Sequence, residues 1–271
     1  MKKAAYAGAK GAYAHQAMMR YFKNDIFPVE KENFAGVFSA VETGECDYGI
    51  LPVENTITGA VTQNLDLLAA TELYICGEIL LGIEHQLLGL PGAELDGVCQ
   101  VFSHEQALTQ CSQYLEKHRQ WLKIPYFNTA VAARHVAELN DPACAAIASA
   151  YARDTYGLIT LARDIADLKG NTTRFYVICK EKQENPKANK ATVIFTLPHK
   201  PSALERALTI FGWHDLNLCR IESRPDRRAN WEYRFFADVE GAYDHLQPAF
   251  TELAAHCAYF RVLGCYQACT E

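Results

Sequence analysis

Short apolar runs of strand-like composition alternate along the chain with segments whose apolar residues recur every three to four positions. Ala4 to Ala7 reads as a strand and Tyr13 to Phe22 as a helix; Asn33 to Thr43 continues as a helix and Tyr48 to Val53 as a buried strand. A helix near Val61 to Ala70, one long extended segment from Tyr74 to Leu90 and a strand at Val98 to Phe102 come next. Helix Gln106 to His118, strand Ile124 to Phe127, helix Val131 to Leu139 and strands Ala145 to Ala148 and Tyr176 to Cys179 complete this part. Strands separated by helices predict α/β layers with a largely parallel sheet. The pattern then breaks at "KEKQENPKANK", residues 180–190, which is charged, poor in apolar residues and interrupted by Pro186. Beyond it the order is strand (Thr192 to Leu197), helix (Ala203 to Phe211), strand (Leu216 to Glu222), strand (Trp231 to Val239), helix (His245 to His256), strand (Tyr259 to Val262). That βαββαβ order is the ferredoxin-like arrangement. Two regions are therefore expected, residues 1–182 and 190–271.

Composition narrows the picture without changing it. With 271 residues, 49% of them apolar and 21% charged, the chain suits a soluble globular protein. A formal net charge of -6 gives no electrostatic reason to expect nucleic acid as a partner. Ten cysteines invite a disulfide or metal reading, but there is no C-x-x-C and most lie in apolar runs such as "YICGEIL" and "CAAIASAYA". Buried reduced thiols are the better expectation. No secretory signal or membrane-length apolar run is visible, which predicts a cytoplasmic protein with no membrane partner.

Polar clusters fall where predicted strands give way to helices, the place where parallel α/β sheets bind ligands. "GAKGAY", Gly8 to Tyr13, is a glycine turn able to offer backbone N–H groups, Gly11 among them, to an anion. Glu54, Asn55 and Thr56 follow the strand ending at Val53, and three hydrogen-bonding side chains exceed what a helix cap needs. "SHEQ", Ser103 to Gln106, reads as a capping box, and Asn128 with Thr129 as another helix start. Thr172, Thr173 and Arg174 immediately precede the strand through Phe175, where an arginine fork suits a carboxylate and a hydroxyl can donate a hydrogen bond. His15, His85 and His104 make no metal-ligand spacing and read as solvated or satisfied in the core.

In the order "YAGAKGAYAHQA", "DYGILPVENTITGAVTQNLDLL", "VFSHEQALTQCSQYL", "AAIASAYARDTYGL", "NTTRFYVI" and "LCRIESRP", the chain resembles prephenate dehydratase with a carboxyl-terminal ACT regulatory domain. The resemblance implies an α/β fold: a two-lobed catalytic domain like a periplasmic binding protein, plus a ferredoxin-like βαββαβ ACT domain. It implies an active site between the lobes, with Thr173, Arg174 and Glu54 as its catalytic residues and Asn55 and Thr56 lining it. By the same likeness Thr173 serves the leaving hydroxyl, Arg174 binds carboxylate, Phe175 packs at the site, and Ser103, Thr129 and Gly11 contact substrate. The implied reaction converts prephenate to phenylpyruvate, water and carbon dioxide, a step driven by aromatisation that needs no metal or organic cofactor. Phenylalanine is the implied effector, bound between paired ACT domains by Ser202, Ala203, Leu204, Asn217, Glu222, Ser223 and Arg224 in a homodimer or homotetramer. Departures from the family pattern are Thr56 for serine, Glu105 for proline, Ala12 for a hydroxyl residue and Ser202 for glycine. Ser202 is open to two readings: a helix cap, or a Cβ crowding a position that wants glycine. No room is expected for a chorismate mutase segment ahead of the first motif. Arogenate dehydratase, the same chemistry on the amino-acid analogue, and a binding module without catalysis are the competing readings.

Overall fold

The computed structural model describes residues 1–226 and 232–269. From the amino end run β1 (Lys3–Ala7), α1 (Tyr13–Tyr21), β2 (Phe27–Lys31), α2 (Phe34–Glu42), β3 (Tyr48–Asn55), β4 (Gly59–Ala60), α3 (Thr62–Ala70), β5 (Tyr74–Gly82) and β6 (Gln86–Gly89). Next come β7 (Gln100–His104), α4 (Glu105–Gln110), α5 (Ser112–Glu116), β8 (Leu122–Tyr126), α6 (Thr129–Leu139), β9 (Cys144–Ala148), α7 (Ala150–Tyr156), β10 (Ile159–Ala162) and β11 (Thr172–Cys179). The remainder is β12 (Lys190–Thr196), α8 (Ala203–Trp213), β13 (Asn217–Pro225), β14 (Tyr233–Glu240), α9 (Tyr243–His256) and β15 (Tyr259–Tyr266). Trp231, expected to open the strand now seen as β14, lies outside the described residues. Among the described residues no helix is long and apolar enough to cross a membrane.

Contacts gather the chain into two compact units: Met1–Val37, Asn55–Gly59 and Leu81–Thr173, and Phe38–Glu54, Ala60–Leu80 and Arg174–Glu271. In the first, β1 pairs with β2 in parallel. A five-stranded sheet follows the order β10-β6-β9-β7-β8. Its central strand β9, "CAAIA", is buried at all five positions because both faces are covered. Ala145 and Ile147 pack with Val101, Trp121 and Leu115 on one side, while Cys144, Ala146 and Ala148 pack with Phe102, Ala133 and Val136 on the other. Period-2 alternation thus builds two cores from one strand.

Three expectations change here. The sheet is mixed: β7 runs parallel to β8 and β9, but β6 runs antiparallel to β9 and β10. The segment Tyr74 to Leu90 is two strands, interrupted at Ile83, whose N–H donates to the Asn171 carbonyl. The helix expected from Gln106 to His118 is two short ones, broken at Cys111, which leaves helical geometry with φ -112 and ψ 20. The pattern also hid β2, whose Pro28 is tolerated on an edge strand, and α7, only seven residues long. Of the cysteines, Cys46, Cys111, Cys144, Cys179 and Cys265 are buried as expected, but Cys99 and Cys219 are exposed.

In the second unit β3, β11 and β5 lie side by side in that order. The C-terminal segment adds a four-stranded antiparallel sheet, β13-β14-β12-β15. It has a core of its own, centred on Val193, Phe195, Ile210, Phe211, Phe250 and Leu253, as the βαββαβ pattern predicts. Contacts nevertheless join it to β3, α3, β5 and β11, so the compact units do not divide at residues 183–189. Arg261 of β15 donates to the carbonyls of Thr71 and Leu73, at 2.6 and 2.7 Å. Gly264 comes so close to β5 that a Cβ there would meet the Ile75 carbonyl oxygen, a backbone atom that no rotamer change can move. Gly264→Ala should therefore destabilise the protein by about 3 kcal/mol, the upper end of overpacking costs. Urea unfolding checks this, and an unchanged midpoint would contradict so close an approach.

Candidate active site

The end of β3 and the start of β11 meet through Asn55, only 8% exposed. Its Nδ2 donates to Asn171 Oδ1 at 2.6 Å, to Thr173 Oγ1 at 2.9 Å and to the Thr172 carbonyl at 3.3 Å. Its Oδ1 accepts from the N–H groups of Ile57 and Thr58 and from Thr58 Oγ1, at 3.0 to 3.2 Å. The first two are the local turn that asparagine forms with the backbone just ahead of it. Thr56 ties the same two strands: its N–H donates to the Thr172 carbonyl, and its hydroxyl accepts from Thr172 N and donates to the Gly170 carbonyl. Thr173 is 8% exposed and accepts from Asn55; no acceptor for its own proton occurs among the described residues. Asn55, Thr56 and Thr173 are thus brought together as expected, though Asn55 has its hydrogen-bonding groups engaged by the protein. Phe175 lies on the same side of β11 as Thr173 and is buried. Beside Gly170 is a cavity of about 210 Å³ lined by Glu84, His85, Asp164 and Lys169, among others.

Of three other expected contacts, Ser103 and Gly11 have their hydrogen-bonding groups engaged by the protein itself, while Thr129 stands at the helix start where it was expected. Ser103 is fully buried and donates to the Ile147 carbonyl at 2.7 Å, while the helix after it is capped by the His104 ring, which accepts from Gln106 N. Thr129 is the first residue of α6, half-buried, next to Asn128, which caps that helix through Val131 N. Four N–H groups of the glycine turn already have acceptors within the protein. Gly8 N donates to the Lys31 carbonyl, Lys10 N to Glu30, Gly11 N to His15 Nδ1 and Ala12 N to the Ala9 carbonyl. Gly11 is required for its backbone: φ is +90, and a Cβ would press on Ala152 and Tyr156.

His15 is 2% exposed between the rings of Tyr6 and Tyr151. Burial, aided by nearby Lys10, lowers its pKa from 6.5 to about 4. The unfolded chain therefore binds this proton at higher pH than the folded one. The stability it contributes is complete above pH 6.5 and is lost as pH falls from there toward 4. His15→Gln keeps an acceptor for Gly11 N but cannot titrate. Its urea midpoint should fall less steeply than that of the wild type across this window. An equal slope would assign the acid sensitivity to other groups.

Arg174 and Glu54 meet one another, but in a separate set of contacts. Successive side chains of a strand leave in opposite directions, so Arg174 diverges from Thr173 and Glu54 from Asn55. Arg174 is 8% exposed. Its Nη2 donates to Glu54 Oε2 at 2.5 Å and lies 2.9 Å from Asp238 Oδ2, and its Nη1 is 3.7 Å from Glu78 Oε2. Lys190 bridges Glu78 and Glu240 at 3.0 and 3.2 Å, and Arg220 lies 3.9 Å from Glu54 and 3.7 Å from Asp238. Tyr176 and Thr192 donate their hydroxyl protons to Asp238, which is fully buried. Desolvation opposes the charge on Arg174, but Tyr176, Asp238 and Glu54 more than reverse it and raise its pKa further. The expected carboxylate-binding fork thus grips the protein's own carboxylates. Sequence reading overlooked Glu78, Asp238, Lys190 and Arg220. A signal was present for two of them: a carboxylate inside an apolar strand run, Glu78 in "YICGEIL" and Asp238 in "FFADVE", implies a buried partner.

Among the expected effector residues, Arg224 grips Asp66 of α3 through Nε and Nη2, at 3.0 and 2.8 Å. Asn217, Glu222 and Ser223 lie along β13, with Asn217 and Ser223 exposed. Ser202 precedes α8 with φ +59 and makes no side-chain cap, which corrects the capping reading and favours the other: the position is one that suits glycine. Ala203 and Leu204 open α8, both half-buried.

A buried amide thus holds a buried hydroxyl whose own proton has no acceptor among the described residues. The prephenate dehydratase family model matches residues 4–183, and the chain belongs to that family of hydro-lyases. It is 37% identical over 266 residues to the bifunctional chorismate mutase/prephenate dehydratase of Aquifex aeolicus (strain VF5), a match covering 97% of this chain and 73% of that one. Among solved structures it resembles the prephenate dehydratase of Arthrobacter aurescens in complex with L-Phe, with TM-score 0.87, 30% identity and coverage of 98% and 90%. It also resembles GqqA, a quorum quenching acylase, with TM-score 0.89, 30% identity and coverage of 99% and 98%.

Proposed function

We propose that Thr173 donates its hydroxyl proton in a hydrogen bond to the ring oxygen that leaves prephenate, in a reaction that releases water and carbon dioxide and forms phenylpyruvate. The observation that carries this is the 2.9 Å bond from Asn55 Nδ2 to Thr173 Oγ1, in which the threonine oxygen is the acceptor and keeps its own proton. Aromatisation of the ring supplies the driving force, so a positioned donor at the departing oxygen is the contribution the protein must make. An alcohol is too weak an acid to protonate the oxygen outright. Its role is to stabilise the charge developing there, and the departing hydroxide takes its proton from solvent to leave as water. The fork of Arg174 is engaged by Glu54 and Asp238. Purified protein given prephenate should release phenylpyruvate and carbon dioxide in equal amounts, and arogenate in a parallel sample separates the two dehydratase readings. Absence of product from both sinks the proposal. The likeness to GqqA motivates a third sample with an N-acyl amide. Hydrolysis there needs a base on the nucleophile, and the described partner of Thr173 is an amide nitrogen that donates.

The C-terminal segment is proposed as an ACT domain that binds phenylalanine through Ser202, Ala203, Leu204, Asn217, Glu222 and Ser223 between paired copies, and the protein as a homodimer or homotetramer. Support comes from its βαββαβ order and from likeness to the Arthrobacter aurescens enzyme solved with L-Phe. Ser202 holds a left-handed backbone conformation that disfavours a Cβ, and pairing of β13 with β14 leaves the other side of β13 as a sheet edge. Ser202→Gly should raise the melting temperature by about 1–3 °C, as strain relief slightly exceeds the entropy glycine adds to the unfolded chain. Calorimetry should show tighter phenylalanine binding in the variant. Equal affinity would separate Ser202 from the effector site.

A further inference from the structure

We infer that Asn55 fixes the direction of the Thr173 hydroxyl proton, as a positioning residue and not a substrate ligand. The inference rests on the reading of Thr173 as the donor to the leaving oxygen. The orientation of an asparagine amide follows from its partners. Here Oδ1 faces the N–H groups of Ile57 and Thr58, which can only donate, while Nδ2 faces Asn171 Oδ1 and the Thr172 carbonyl. A flipped amide would set donor against donor on one side and acceptor against acceptor on the other. The group facing Thr173 is therefore NH2, which has protons to give and no lone pair to accept with. Thr173 Oγ1 must receive, and its single proton is turned away from Asn55. A threonine hydroxyl without such a partner would distribute its proton over several directions. Asn55, held at 8% exposure by donors on one end and acceptors on the other, removes that freedom before substrate arrives.

Asn55→Asp tests this because it keeps size, shape and the acceptor for Ile57 and Thr58 while replacing the donor with an ionisable oxygen. Once ionised, the introduced carboxylate draws the Thr173 proton to itself. We expect kcat to fall about 100-fold near neutral pH with KM within about threefold. Protonating the carboxylate restores a donor. The ratio of variant to wild-type kcat should therefore rise about tenfold per pH unit as pH falls toward the carboxyl pKa. In a Thr173→Ala background the same change should cost less than about threefold, since Asn55 acts through that hydroxyl. A ratio independent of pH, a KM loss as large as the kcat loss, or additive losses in the double variant would each overturn the inference. If Asn55→Asp does not fold, Asn55→Ala gives the same kcat-against-KM split and the same double-variant comparison. Near-normal turnover in Thr173→Ala alone would remove the donor reading and this inference with it. Loss there, with Asn55 variants unaffected, removes the inference alone.

Discussion

Thr173→Ala should lower kcat by about two orders of magnitude or more and leave KM within about threefold, the scale on which loss of a positioned transition-state donor acts. The hydroxyl is small, belongs to a residue only 8% exposed and already accepts one hydrogen bond, so its removal creates little cavity and leaves a single donor on Asn55 to find another acceptor. Asn171 Oδ1 and the Thr172 carbonyl are within reach of the same nitrogen, which is why the fold should survive. Thr173→Ser keeps the donor and should retain most of the turnover. Steady-state kinetics on the two variants, with unfolding curves to confirm that both are native, check the pair of expectations. Near-normal turnover in the alanine variant would place the donor elsewhere.

Arg174→Met should cost about 3–5 kcal/mol of unfolding free energy, the range for removing one partner of a buried ion pair. Its guanidinium stands among four carboxylates, Glu54, Glu78, Asp238 and Glu240, and two other cations, Lys190 and Arg220. Without it the cluster carries two uncompensated negative charges in place of one, and Asp238 is fully buried. Prephenate KM, measured on whatever remains folded, should stay within about threefold. A large rise in KM with unchanged stability would return Arg174 to the carboxylate-binding role that its sequence context suggested. The same cluster explains why β11 and the C-terminal sheet fall in one compact unit despite the polar stretch between them. Tyr176 of β11, Thr192 of β12 and Asp238 of β14 share hydrogen bonds that none of them could satisfy alone.

Local pattern determined much of this protein. The alternation of apolar runs marked most strands and the longer helices, the apolar-poor stretch at residues 180–190 marked where β11 ends and β12 begins, and the motifs in order identified the family. These features are legible because each is written within a window of ten or so residues, where side-chain period and turn chemistry dictate backbone geometry. The helices that escaped or were misdrawn, α7 and the pair α4 and α5, are too short for a 3.6-residue period to show. What the sequence could not decide is which partner each strand face meets. Thr173 and Arg174 are adjacent in the chain and looked like one site. Strand alternation sends one to Asn55, 118 positions away, and the other to Glu54 and Asp238. Ser103 read as a helix cap, with a substrate contact implied only by the family resemblance, and Gly11 as an N–H open to an anion, but tertiary neighbours took the Ser103 hydroxyl and the Gly11 N–H closed on His15. Alternation of faces is a local property. The identity of the group opposite a face depends on how segments more than a hundred residues apart are brought together, and only the folded chain fixes that.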